Sequence, residues 1–447
     1  MAAATVKHLF TGGNTGVLYT DRRNFYLDPN NFSELFKDET PFLWLAMKNR
    51  QGGLSDPVFK MFQYENTFMR RYFYNNGTVG ETIAAASAGA AAESNAITID
   101  NVTGFGSTST IDASMVGKEF EVYDSSWTSN PATATFKGVV VLTDDTSTTT
   151  AKFKNTTGTA ITTADNDVFV LISNAQEDGG EAPDAYSSEL SVVWNQCQRF
   201  KTPVQIEGDL YYASLKGANN ELARLRAEKA KEHKVEIEGA FLKGYSPLGT
   251  NLAGTDTFTY LDAFTGDNGK VTRTTMGIIP AIRTYGSTTG QYQNRFTITE
   301  ADYKFSNFVD DTEKIFQYNP PGGVLPAVCG AGAMGYWSKL LYARSSKDNW
   351  TVQFSGNKMS SFGINVRELE TPNGVLQLMR SDSLKFEYNN TMVIVDDRYS
   401  KYMEFRPTTF QTNIKTDNAY DGEKDLYDTE AGLGLTHIKT HSMITIQ

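Results

Sequence analysis

Residues 79–175 differ in kind from the chain on either side of them, and this break constrains the fold more than any other feature. The stretch opens on an Ala-rich run at 83–92. Short apolar runs follow at 96–100, 119–123, 138–142 and 167–172, separated by Thr, Ser, Gly and Asn. Short runs of β-formers punctuated by turn residues are expected to fold as a small all-β domain with its own core. The flanks, 57–78 and 176–215, read as extended chain. A module set between two extended segments that look like partners of each other is an insertion into a strand pair.

The first flank is unusual in carrying large groups on both faces. Phe59, Met61, Gln63 and Glu65 alternate with Lys60, Phe62 and Tyr64, and Arg70, Arg71, Tyr72, Phe73 and Tyr74 continue the theme. Period two with aromatics predicts strand. A strand on a monomer surface normally leaves one face polar. Two apolar faces need two partners, which makes Phe59, Phe62, Tyr64 and Tyr72 expected contacts to another subunit. Arg70 and Arg71 are expected to fork onto carboxylates there. Stacking of these arginines on nucleic-acid bases is the weaker reading, because no wider basic surface surrounds them.

Helical spacing is clearest at 219–243, with Gly244 as the stop. Leu222, Leu225, His233, Ile237 and Phe241 share one side, and Asn219 is a plausible cap. The remaining faces are charged, with Arg224–Glu228 and Lys234–Glu238 at i, i+4. At 1.5 Å per residue such a helix runs about 37 Å, a spine suited to lying across a surface layer, where Arg224 and Glu228 are further expected subunit contacts. Thr40-Pro41 starts a shorter helix in an N-terminal arm. A helix over 299–317 is expected to bury Ala301, Phe305, Phe308, Thr312 and Phe316. Another, following the strand 324–329, should bury Tyr336, Trp337, Leu340 and Leu341. Thr371-Pro372-Asn373-Gly374 reads as a turn between strands 362–369 and 375–379, and the chain from 384 onward reads as strands, including 391–395 and 436–446.

Chemistry-bearing patterns are weak throughout. The net charge of −11 over 447 residues argues against a nucleic-acid-binding domain, which needs clustered cations. No apolar run approaches the ~20 residues of a membrane span, and the first residues lack the apolar core of a signal peptide. The two cysteines, Cys197 and Cys329, are far apart and read as buried thiols. Gly330, Gly332 and Gly335 spell a dinucleotide-binding fingerprint between a strand and a helix. The acidic residue that should end a second parallel strand is missing, so close helix–sheet packing is the better reading. His437 and His441 have metal spacing only on a helix; in a strand their side chains stand ~13 Å apart. Asp144-Asp145, Asp310-Asp311 and Asp396-Asp397 are adjacent rather than spaced as a calcium loop. No catalytic residue, metal site or cofactor is expected, and the residues describe a structural protein.

Several stretches resemble one family. Thr40-Pro41-Phe42-Leu43 before an aromatic strand, Ala175-Gln176-Glu177-Asp178-Gly179 after the insertion, and the Asn-x-x-Gln-x-Phe pattern of Asn195 to Phe200 carry the likeness. So do the helix ending at Lys243-Gly244, the segment Glu430-Ala431-Gly432-Leu433, and His441. Together they resemble the major capsid (major head) proteins of tailed bacteriophages, with the Hong Kong-97 (Johnson) fold, in the subfamily with a β-domain inserted in the extended loop. The resemblance implies an α+β chain with an N-terminal arm at 1–56, an extended loop at 57–78 and 176–215, and the inserted β-domain at 79–175. It places a peripheral domain at 216–272 and 381–447 around the spine helix, and an axial α/β domain at 273–380. It further implies self-assembly as hexamers and pentamers into the icosahedral head of a virion, built in the host cytoplasm around DNA held without sequence-specific binding and with no membrane. A separate scaffolding protein, a portal and a cement protein are the implied partners, the first because only about 30 residues precede the arm helices. A tail-tube or decoration protein, and more distantly a nucleotide-binding enzyme, are the competing readings.

Overall fold

The arm contributes a short helix, α1 (Pro41–Lys48), to the interior. Pro41 sits in its first turn, as expected, but the side chain of Thr40 makes no capping bond. The free amide of Leu43 donates instead to a carboxylate of Glu238, 3.3 Å away and distant in sequence. In a computed structural model, the protein is described over residues 40–64, 72–75, 82–84, 97–103, 115–128, 133–147, 150–176, 178, 190–212, 221–246, 269–270, 272–288, 293–299, 303, 305–318, 320–345, 355–359, 365–414 and 421–447. Its described residues form two units: one holds those within 201–234 and 408–428, the other those within 40–200, 235–407 and 429–447.

The extended flank divides in two. Strand β1 (Val58–Gln63) stays with the body of the larger unit. The next strand, β2 (Tyr72–Asn75), belongs to the inserted module. Its companions are β3 (Thr82–Ile83), β4 (Ile97–Thr103), β5 (Lys118–Tyr123), β6 (Phe136–Ser147), β7 (Thr150–Asn155), β8 (Ile161–Thr162) and β9 (Val168–Asn174). Among the described residues, six strands close into a barrel in the order β2-β4-β7-β6-β5-β9, with β9 pairing back onto β2. The module therefore begins before residue 79. The composition break marks the Ala-rich run, whereas the barrel needs Phe73, which is wholly buried between strands. Its ring stacks on Phe169 at 4.9 Å and meets Phe120 edge-on at 4.9 Å. Among the described residues, closure leaves the six barrel strands without a free edge, the main aggregation liability of a small β module.

The chain returns through β10 (Ser191–Gln196), antiparallel to β1 from Val58↔Gln196 to Gln63↔Ser191. The two flanks are thus partners, as their shared extended character predicts. Next come β11 (Gln198–Glu207), a short helix α2 (Gly208–Tyr212), the long helix α3 (Glu221–Lys243) and α4 (Ile278–Tyr285). The proposed cap Asn219 lies outside the described residues. Of the expected stripe of α3, Leu222, His233, Ile237 and Phe241 are buried and Leu225 is half-buried. The expected Lys234–Glu238 pair does not form, because Glu238 is on the same inward face and is fully buried. Residue 238 lies three and four positions before the buried Phe241 and Leu242, which places it on their face of the helix. Ile237, Phe241 and Leu242 join Phe42, Leu45, Ile278 and Ile282 in the largest apolar core.

The remaining elements are β12 (Arg295–Ile298), α5 (Phe305–Phe316), β13 (Val324–Cys329), α6 (Ala331–Ser345), β14 (Ser355–Met359), β15 (Asn365–Thr371), β16 (Gly374–Arg380), β17 (Thr391–Ile394), β18 (Ser400–Gln411), β19 (Gly422–Leu435) and β20 (Ser442–Ile446). Seven strands, among the described residues, make one sheet in the order β12-β20-β17-β13-β16-β15-β14. The 381–447 segment was expected outside this α/β layer; β17 and β20 instead lie inside it. Every residue of β17 is buried, and so are four of the five in β20, a pattern that only an interior strand satisfies. Phe308 and Phe316 of α5, and Tyr336 and Trp337 of α6, fill the core over this sheet. The described part of α5 begins at Phe305, later than the expected 299; residue 301 and the side chains of 305 and 341 are outside the description. The predicted turn at 371–374 joins β15 to β16. The expected strand 436–446 is shorter, since a 3-10 turn at Ile438–Thr440 precedes β20 and removes His437 and His441 from it.

In the smaller unit, Val204, Ile206 and Leu222 pack with Leu225 and Tyr427. Arg226 holds both Glu423 at 2.8 Å and Asp425 at 2.7 Å, with its guanidinium over Phe410. Thr202 Oγ1 and His233 Nδ1 lie 2.8 Å apart.

Candidate functional site

Two stretches that carried the family resemblance meet in the larger unit. Asn195, ahead of the turn into β11, gives both amide hydrogens to backbone, at Met276 (3.1 Å) and Leu433 (2.7 Å). Its Oδ1 accepts from the amides of Gln196 and Met276. Gln196 donates to Ser246 Oγ and to the carbonyl of Thr274. Gln198 accepts from the amide of Thr275, whose hydroxyl accepts in turn from Leu433. Side chains therefore satisfy the irregular segment 274–276 and lock it to β10 and β19, which a buried stretch without its own ladder requires. Gly432 is needed at the crossing: a Cβ there would stand 2.7 Å from the Gln196 carbonyl and 2.8 Å from the Phe59 ring. At the margin, Glu430 is shared by Arg273 at 2.8 Å and Arg406 at 3.4 Å.

Glu238 is a second buried polar node. It accepts from Leu43 and from Ser381 Oγ, the latter at 2.5 Å. Burial pushes its carboxyl up to about 7, and the bonds from Ser381 and Leu43 hold it back only in part. Both cysteines are free and buried; burial pushes the Cys197 thiol up to about 12 and Cys329 up as well, so neither is a ready nucleophile.

The glycine fingerprint lies between β13 and α6, but the helix N-terminus is already taken. The amides of Gly332 and Ala333 donate to the side-chain and main-chain oxygens of Asn389, at 3.2 and 3.0 Å. Those are the donors a pyrophosphate would use. A Cβ on Gly330 or Gly332 would collide with Asn389 and Asn390. The glycines allow a loop, not a ligand, to approach the helix. Among the described residues no group of three or more His, Cys, Asp or Glu is placed to hold a metal, and no helix is long and apolar enough to cross a membrane.

The expected subunit contacts scatter. Phe59 is buried within its own chain beside Cys197 and Met403, where Gly432 lets β19 close over its ring. Phe62 is 74% exposed and Tyr64 51% exposed on the β1/β10 ribbon. Tyr72 is in the barrel, against Tyr74 and Trp127. Arg70 and Arg71 lie outside the described residues. Arg224 bonds Glu228, the expected pair, and also Glu221, which raises its basicity further. Exposed aromatics that the sequence reading passed over include Tyr211, Tyr212, Tyr245 and Phe386. Their signal was present in part: Phe386 stands between Lys385 and Glu387 rather than in an apolar run.

Interior polar groups committed to holding irregular backbone, an occupied glycine loop and large aromatics left on the outside define an assembly subunit. The chain matches the SU10 major capsid protein family over residues 30–446 and belongs to it; it is a building block of a phage capsid. The tail-tube reading gives way to this. No curated protein matches the chain. Similar solved structures include the capsid of the cyanophage P-SCSP1u, at 10% identity over 62% of this chain and 81% of that one, with a TM-score of 0.38. The mature capsid of bacteriophage PhiM1 is 12% identical over 62% and 79%, with a TM-score of 0.37. The encapsulin complex of Synechococcus elongatus is 9% identical over 60% and 76%, with a TM-score of 0.34. At these values they fix no residue-level correspondence.

Proposed function

We propose that copies of this chain assemble as hexamers and pentamers into an icosahedral head, which encloses double-stranded DNA without reading its sequence. The subunit catalyses nothing in this reading. The β1/β10 ribbon with the chain around it, 57–78 and 176–215, acts as the extended loop lying over a neighbour. The α/β layer within 273–380, completed by β17 and β20, faces the capsomer axis, and α3 is the peripheral spine. Assembly takes place in the host cytoplasm with a separate scaffolding protein, a portal and a cement protein.

The observation that carries this reading is Phe62, 74% exposed on a ribbon of two strands. A two-stranded ribbon is marginal by itself, and an exposed aromatic pair is the kind of anchor that interfaces bury. Arg70, Arg71, Arg224 and Glu228 are assigned to the same neighbour contacts. The test is Phe62→Glu with Tyr64→Glu, compared with the parent by melting temperature, sedimentation velocity and negative-stain images. The expected result is an unchanged melting temperature for the unassembled subunit and loss of closed shells. Normal shells from the double variant remove the ribbon from the interface.

A further inference from the structure

Phe386 is the most exposed large apolar side chain among the described residues, at 93%. Its backbone is also in the left-handed region, with φ of 59°. A bulky aromatic there is a genuine outlier, and such strain persists only where the surroundings enforce it. The surroundings do so on both sides. Before it, Leu384 is fully buried in the main core, and Ser381, tied to the Cys329 carbonyl, sits next to Glu238. After it, Arg283 lies over the Tyr388 ring at 5.1 Å and donates to its hydroxyl. Asn389 then locks onto the start of α6 through both of its oxygens. A tip anchored this firmly could turn its ring inward or carry a glycine. It holds a phenylalanine outward instead.

We infer that Phe386 is a fixed knob that docks against an adjoining copy of this chain in the assembly. The inference rests on the capsid reading, since that supplies the adjoining copy. The flanks support the same occupant. Lys385 and Glu387, both exposed, and Asp382, which pairs with Lys385 at 3.8 Å, give the tip charges of both signs. That arrangement complements a surface of the same make-up, whereas a purely acidic or basic partner would repel one of them. A preorganised aromatic loses little freedom on docking, so its burial goes into the contact.

The test uses the full chain with a photo-crosslinking phenylalanine analogue at position 386, irradiated under assembly conditions. Covalent species at whole-number multiples of the chain mass support the inference. Closed shells with no crosslink at 386, or crosslinks only to a different protein, overturn it while leaving the capsid reading intact. A chain that stays monomeric at every concentration overturns both. Phe386→Gly gives the second readout: glycine suits positive φ, so the free subunit should melt at the same temperature or higher. The concentration needed for assembly should rise roughly tenfold or more, the loss of one anchor contact. A lower melting temperature with unchanged assembly would make Phe386 a residue of its own fold.

Discussion

The carboxylate of Glu238 accepts the amide of Leu43 at 3.3 Å, so a residue on the long helix caps a helix of the arm 195 positions earlier in the chain. The same carboxylate takes the Ser381 hydroxyl, and it is entirely shielded from water. One acidic group thus organises three segments, at the expense of being hard to ionise.

That cost sets a pH dependence. Burial pushes the folded-state carboxyl up to about 7, while in the unfolded chain a glutamate has its ordinary value near 4.5. Between these values the folded chain holds the extra proton, so this group favours folding below about 4.5 and loses that contribution as pH rises through 7. The full difference is roughly 3 kcal/mol. Glu238→Gln should flatten the melting temperature across this window and make the variant the more stable protein above pH 7. Parallel melting curves from pH 4.5 to 8 would show that Glu238 does not govern it.

At Gly432 the expected effect is steric. Alanine there would press on a backbone carbonyl and on the Phe59 ring. Backbone yields less readily than a flexible side chain, so Gly432→Ala should destabilise by about 1–3 kcal/mol. Equilibrium denaturation reads this directly, and a midpoint equal to the parent's would mean that β10 and β19 separate freely.

The barrel is expected to come away whole. Excising 72–174 and joining the ends with a Gly/Ser linker leaves the β1/β10 register untouched. Helical circular dichroism should persist with cooperative melting. Cutting at 79 instead should fare worse, because Phe73 would be left without its barrel, an exposed ring with nothing to pack on. Equal behaviour of the two deletions would contradict the assignment of β2.

Asn389 should behave as a cap. Asn389→Ala frees the Gly332 amide at the start of α6, leaving the Ala333 bond to the main-chain carbonyl, and should cost about 1–2 kcal/mol. Millimolar NAD should leave the parent's melting temperature where it is. A rise would mean that a ligand can displace the asparagine and bind the native state.

Periodicity and composition were enough for the insertion, the long helix, the strand pair and the turn at 371–374, because each depends on local pattern. What escaped them depended on partners far along the chain. Glu238 looks like a surface i, i+4 residue until Leu43 and Ser381 are placed beside it. β20 looks like a terminal strand until β12 and β17 flank it. Phe59 and Phe62 differ in nothing local, yet one is covered by β19 and the other is not. Phe73 was grouped with the aromatic flank because a strand of four residues has too short a pattern to show which sheet it joins.

The β1/β10 pairing has a wider consequence for how such a chain can change over generations. The two strands hold Val58 against Gln196 whatever lies between Gln63 and Ser191. Closing a longer excursion across that gap costs only about 0.6 kcal/mol for each doubling of its length. The site is therefore a tolerant graft point. A lineage can enlarge, trade or discard what it carries there while the register of the pair that carries it stays the same.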